Sequence, residues 1–246
     1  MSTRRTFRAV ATGGVLALVL SLTGGCSFFD PSRQDAEPEA AETTAVASAD
    51  AEEEVRATQF TRDGTFQSHI SVKGAEDVDF VYTLYPTKST PRTNEWYPRG
   101  SKYFSFTFQA YDLARPLRAP FATKRRVYLS RIKVTSSTVT ESGATQQPYS
   151  LDAVAKKVTF DPEPESTRYG MLISSPKGSF ELRNQRIRPT SLDTERVVLT
   201  FTATVHVQTR AGGSDYITRT VRQRVPITIF PSTEKTAVAD IPINAN

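Results

Sequence analysis

From about residue 60 the apolar side chains of this sequence recur at every second position, and that period confines the chain to extended strands. Phe104, Phe106, Phe108 and Ala110 alternate with Tyr103, Ser105, Thr107, Gln109 and Tyr111. Successive side chains of a strand point to opposite faces, so one set is expected in a core and the other in solvent. The same signal predicts strands over 66–73, 78–85, 103–111, 127–134, 169–174, 196–209 and 216–230. The stretch 78–85 is apolar on both faces, with Val78, Phe80, Tyr82 and Leu84 opposed by Val81 and Tyr85, which predicts a central or doubly covered strand. Over 127–134 the apolar parity switches from Val127 and Leu129 to Ile132 and Val134. This predicts a bulge near Ser130 and Arg131.

The last two strands predict a hairpin whose register follows from burial of one face. A two-residue turn at Gly212 and Gly213 would set apolar residues opposite polar ones. A three-residue loop, 211–213, instead pairs Val207 with Ile217, Leu199 with Val225 and Val197 with Ile227, with Gly213 expected in the left-handed conformation. Few segments compete as helices, and the best is 151–158, with Leu151, Val154 and Val158 at i, i+3 and i+7 after Ser150; the alternative is the lead-in to a strand at 158–160. Proline-punctuated loops and the lack of any strand-helix rhythm point to an all-β fold, an antiparallel β-sandwich of immunoglobulin-like architecture with at most one short helix. The sandwich is expected over 59–232 and a tail over 233–246.

The N-terminus carries a different signal. Arg4, Arg5 and Arg8 precede an apolar run from Ala9 to Leu22, 14 residues long, where a membrane-spanning helix needs about 20. The run therefore reads as the apolar region of a cleaved signal peptide covering 1–25. Thr3, Arg4, Arg5, Thr6 and Phe7 resemble the twin-arginine export motif, and Thr23, Gly24, Gly25 and Cys26 resemble the lipobox of bacterial lipoproteins, with Leu22 one position earlier than that family's usual leucine. The resemblance implies acylation of Cys26, a membrane partner through that lipid, and a lipid-anchored location on the extracytoplasmic face of the cell membrane. Two or three acyl chains hold a protein stably where one is marginal. Cys26 is the chain's only cysteine, so stability has to come from a hydrophobic core without an internal disulfide.

Charge divides the remainder. Residues 27–58 hold nine acids against Arg33 and Arg56, a net −7, while from residue 59 onward 26 basic residues face 17 acidic ones, a net +9. The acidic segment is rich in Ala, Glu, Thr and Ser without apolar period, which predicts a disordered linker over 26–58, spanning roughly 30 Å as a flexible coil.

Few residues propose chemistry. His69 and His206 lie far apart, each in a strand and without a partner at ligand spacing, whereas zinc needs three or four ligands; no metal, cofactor or catalytic set is assigned. Glu163 and Glu165 flank Pro164 in a turn and read as solvated charges. Binding is better supported. Arg115, Arg118, Lys124, Arg125 and Arg126 form a candidate anion-binding run, and arginine outnumbers lysine 22 to 9. Trp96 and Tyr97 are a candidate aromatic contact, with the plug of a sandwich end as the alternative role for Trp96. Thr200, Thr202 and Thr204 opposite Thr220 and Arg222 fit a solvated strand face. These features suggest a noncatalytic binding or assembly module of the cell envelope, whose partner is an envelope protein or anionic polymer rather than nucleic acid. A hydrolase or transferase with a dispersed site, or a lipid carrier, is the alternative.

Overall fold

The computed structural model describes residues 58–88, 94–236 and 238. The alternating segments form β1 (Phe66–Val72), β2 (Ala75–Thr87), β3 (Lys102–Asp112), β4 (Val127–Thr140), β7 (Gly170–Leu172), β9 (Thr194–Gln208) and β10 (Tyr216–Thr228). Three further strands, β5 (Ser150–Val154), β6 (Ser166–Thr167) and β8 (Phe180–Ile187), complete two antiparallel sheets. One runs β1-β2-β3-β8, and the other runs β10-β9-β4-β7-β6 with β5 paired onto β4. Their inner faces share one apolar core, in which the rings of Tyr82 and Phe106 from the first sheet lie 5.5 and 4.8 Å from Phe201 of the second. The architecture is the expected all-β sandwich. Its strand order is not the immunoglobulin one, which places the second and third strands in opposite sheets, because β1, β2 and β3 are consecutive neighbours here.

Register follows burial. Val207 pairs with Ile217, Leu199 with Val225 and Val197 with Ile227, as the apolar parity requires. The expected glycine is displaced by one position: the Gly213 N–H donates to the Arg210 carbonyl at 3.0 Å, and Gly212, with φ +72°, takes the left-handed third position of that turn. β4 bulges at Ser130, where the pairing steps from Leu129 with Val205 to Arg131 with Thr204. β2 is central, as its two apolar faces demand.

The helices differ from expectation. Of 151–158 only α2 (Ala155–Val158) is helical, because Ser150 to Val154 pair along β4 from Thr135 to Arg131. A second helix, α1 (Gln59–Asp63), precedes β1; Thr58 caps it through a 3.4 Å bond from the Thr61 N–H, and Gly64 ends it at φ +69°. Five residues are too few to display a helical period.

Trp96 is fully buried, with its ring edge-to-face against Phe60 of α1 at 4.9 Å, so it fills the end of the core and is not an exposed contact. The Phe230 N–H donates to the Trp96 carbonyl at 2.8 Å and the Thr236 N–H to the Arg99 carbonyl at 2.9 Å. The fold therefore continues to Thr236, past the expected boundary at 232. The same segment is held by Lys102, whose buried ammonium donates to the carbonyls of Tyr97, Pro98 and Gly100 at 2.9, 3.2 and 3.4 Å.

Burial pushes the Lys102 ammonium down to about 8 from 10.5. Between those values the unfolded chain retains the proton that the fold releases, so stability rises with pH across this window. Urea denaturation at pH 7.5 and 9.5 should show a gain of about 2 kcal/mol at the higher pH. Lys102→Met should lack that gain; the same slope in both proteins would show that Lys102 is not its source.

Candidate functional site

Arg4, Arg5, Phe7 and Cys26 lie outside the described residues. The basic run 115–126 does not act as one patch. Lys124 is buried and donates to the Leu117 carbonyl at 2.5 Å. Arg125 is clamped by Asp112, its Nη2 and Nε lying 2.6 and 3.0 Å from Oδ1. Those two cations are structural, which leaves Arg115, Arg118 and Arg126 exposed. Tyr97 is half-buried, its hydroxyl donating to Glu95 at 3.2 Å. His69 has an acidic partner across the β1–β2 pair, Asp79 at 2.6 Å, on an exposed face. Among the described residues no three histidine, cysteine, aspartate or glutamate side chains converge on a metal-sized point.

What the fold does bring together is the outer face of the larger sheet. Strand alternation sends Arg131, Lys133 and Thr135 of β4, Thr200, Thr202 and Thr204 of β9, and Thr220, Arg222 and Arg224 of β10 to that face. Pairing aligns them in rungs: Arg131 with Thr204 and Thr220, Lys133 with Thr202 and Arg222, Thr135 with Thr200 and Arg224. A threonine column thus runs between two rows that carry cations. Asp152 of β5 binds Arg131 at 2.7 Å, and the Arg131 guanidinium in turn holds the Asp152 carboxyl below its ordinary value.

One end of this face carries a cluster of aromatic rings. Tyr128 of β4, His206 of β9 and Thr218 of β10 form the next rung. Tyr216 and Tyr169 fold over it, 4.2 Å apart between ring centroids and tilted by 32°. Tyr128 lies edge-on to Tyr216 at 5.8 Å and is almost wholly covered, whereas Tyr169 and Tyr216 remain half-exposed. Arg168 sits over the Tyr169 ring at 4.8 Å, and the Tyr128 hydroxyl beside Arg126 raises the Arg126 guanidinium. Gly170 makes this possible. At φ +114° it carries the chain so close to β4 that a Cβ there would collide with the Leu129 carbonyl.

Ser130 and His206 are the nearest approach to a nucleophile and base, at 3.2 Å from Oγ to Nε2. The Ser130 hydroxyl, however, donates to the Thr204 carbonyl at 3.1 Å, so Nε2 carries the proton and donates to Ser130. Nδ1 then accepts from the Thr218 hydroxyl at 3.1 Å, where a catalytic pair would present a carboxylate. Burial lowers the His206 pKa, which keeps the ring neutral. The arrangement leaves Ser130 unactivated. A separate cleft of about 180 Å³ between 159–165 and 171–181 includes Asp161, Glu165, Lys177 and Glu181 but no histidine, and Arg183 occupies Glu181 at 2.5 Å.

The sequence names neither the rung nor the rings, because 128, 169, 206 and 216 meet only through long-range register. One signal was present: Tyr128 has the outward parity between Val127 and Leu129, and a large aromatic on a solvent face asks for a cover. No protein-family model matches this sequence, and no curated protein does.

Proposed function

We propose that this chain is an extracytoplasmic lipoprotein held at the cell membrane through lipid on Cys26, and that its β-sandwich is a noncatalytic module that binds an anionic polymer of the envelope. The outer face of the larger sheet carries the reading. Lys133, Arg222 and Arg224 are exposed there beside a column of threonine hydroxyls, and Asp152 is the acid set among them. Guanidinium forks suit phosphate or carboxylate, and hydroxyls suit a hydroxyl-rich chain. The absence of an activated nucleophile at Ser130 favours binding over hydrolysis at this face.

Two measurements test the two halves. Cys26→Ala should move the protein from the membrane fraction to the soluble fraction, and retention with membranes would remove the anchor. Affinity electrophoresis in gels containing polygalacturonate should retard the wild-type protein at low salt. Arg222→Glu with Arg224→Glu should weaken that binding about thirtyfold, since each of the two reversals costs about 1 kcal/mol of interaction in water. Equal retardation of variant and wild type, each measured against its own mobility in a polymer-free gel, would exclude this face.

A further inference from the structure

The loop between β3 and β4 exposes apolar and cationic groups that the fold itself does not use. We infer that its segment 113–118 is a membrane-surface contact, in which Leu113 and Leu117 enter the headgroup region of an anionic bilayer while Arg115 and Arg118 pair with lipid phosphates. The assignment goes beyond the polymer reading of the larger sheet and shares no residue with it.

Three observations carry it. Leu113 and Leu117 are 53% and 63% exposed, and Leu117 is the most exposed large apolar side chain among the described residues. The backbone that presents them is tied to the sandwich at several points. The Ala119 N–H donates to the Pro116 carbonyl at 2.9 Å, which closes a four-residue turn with Leu117 and Arg118 at its two central positions. The buried Lys124 ammonium donates to the Leu117 carbonyl, the Leu113 N–H donates to the Asp77 carbonyl at 2.7 Å, and Asp112 Oδ1 accepts the Ala114 N–H at 3.3 Å. Both leucines are therefore held in solvent by a fixed main chain. The third observation is charge. No acid occurs from 113 to 126, where Arg115, Arg118 and Arg126 are exposed, and exposed Lys177 joins them over the Phe121 ring at 5.3 Å. Of the acids that touch the loop, Asp112 is paired with Arg125, and Asp77 contributes its backbone carbonyl. Leucines interleaved with arginines suit the boundary between acyl chains and phosphates, which takes up apolar side chains and cations side by side. A protein partner would instead call for an apolar centre with charges kept to its rim.

Full-length Leu117→Trp protein, mixed with phosphatidylglycerol vesicles brominated along their acyl chains, reads the loop directly. Trp96 is fully buried and gives a constant background. The introduced indole should shift to the blue and be quenched by the bromines, and attachment elsewhere in the chain would not produce that signal. Arg115→Gln with Arg118→Gln on the same background should lower the ratio of docked to free loop about thirtyfold, about fivefold for each arginine removed from an anionic surface. Phosphatidylcholine vesicles, which carry no net charge, should leave the indole largely unquenched. An indole that stays unquenched with phosphatidylglycerol, whether or not the protein sediments with the vesicles, would overturn the contact, as would equal quenching by both lipids. A blue shift without vesicles that grows with protein concentration would assign the loop to a second copy instead. Leu113→Ser should weaken docking yet leave the retardation by polygalacturonate unchanged, so loss of lipid docking and loss of polymer binding are read separately. Unchanged thermal unfolding midpoints in these variants would exclude a folding defect.

Discussion

Replacing Trp96 with alanine should cost about 4 kcal/mol of folding stability, the scale of a large aromatic removed from a closed core. Two elements meet Trp96, α1 through the indole and the segment 229–236 through the backbone. Phe60 of α1 meets it edge-to-face at 4.9 Å, an arrangement worth about 1 kcal/mol beyond area alone. Trp96 also pairs with Ile229 as an isolated parallel bridge, and its carbonyl accepts the Phe230 N–H at 2.8 Å. Emptying the site should therefore loosen α1 and the segment 229–236 before the sheets separate. Hydrogen exchange would show this as faster exchange at Phe230 and Thr236, with the β4–β9 ladder still protected. Equal acceleration throughout would mean that the indole supports the whole sandwich and not one end of it. Trp96→Phe keeps the ring contact and should recover roughly half of the loss.

Asp112→Ala should be nearly as damaging, at about 3 kcal/mol, because it strands the guanidinium of Arg125 in a largely buried position. The two side chains are 3% and 15% exposed. Asp112 Oδ1 takes two bonds from the guanidinium, and Oδ2 takes the Arg125 backbone N–H at 2.7 Å. Burial by itself would raise this carboxyl, but the bonds from Arg125 and the Ala114 N–H outweigh it and hold the folded value below 3.8. A depressed carboxyl contributes its full stability above its ordinary value and loses it as pH falls through the folded one. Acid unfolding should therefore draw on Asp112 below about pH 4. Asp112→Asn should be less stable than wild type at pH 7, and the gap should narrow by pH 3. A gap that stays constant between those pH values would assign the effect to packing instead of charge.

The strands with one clean parity could be read directly. The β9–β10 register follows from Leu199, Val207, Ile217 and Val225 alone, since any slip would expose every apolar residue at once. The bulge at Ser130 was equally visible, because it moves the parity of β4 from odd to even. β8 hides for the same physical reason. Its pairing steps from Phe106 with Leu182 to Phe104 with Gln185, so Phe180 and Leu182 fall out of phase with Ile187. Asn184, at φ +52°, absorbs the extra residue, and Arg183 and Arg186 then look like part of a basic patch. The roles of Lys124 and Arg125 were not legible either, since their partners are the carbonyl of Leu117 and a buried Asp112, neither marked by period. The tyrosine cluster belongs to the same class: its members come from β4, the loop before β7 and the start of β10, and only strand pairing and a close approach at Gly170 unite them.

β10 gives the domain a direction. It begins at Tyr216, in the ring cluster, and ends beside Ile229, where Trp96, Phe60 and the capped start of α1 at Thr58 are gathered. Its 13 residues cover roughly 40 Å at the rise of an extended strand. The tyrosines and the point where the chain arrives from residue 57 are thus at opposite poles.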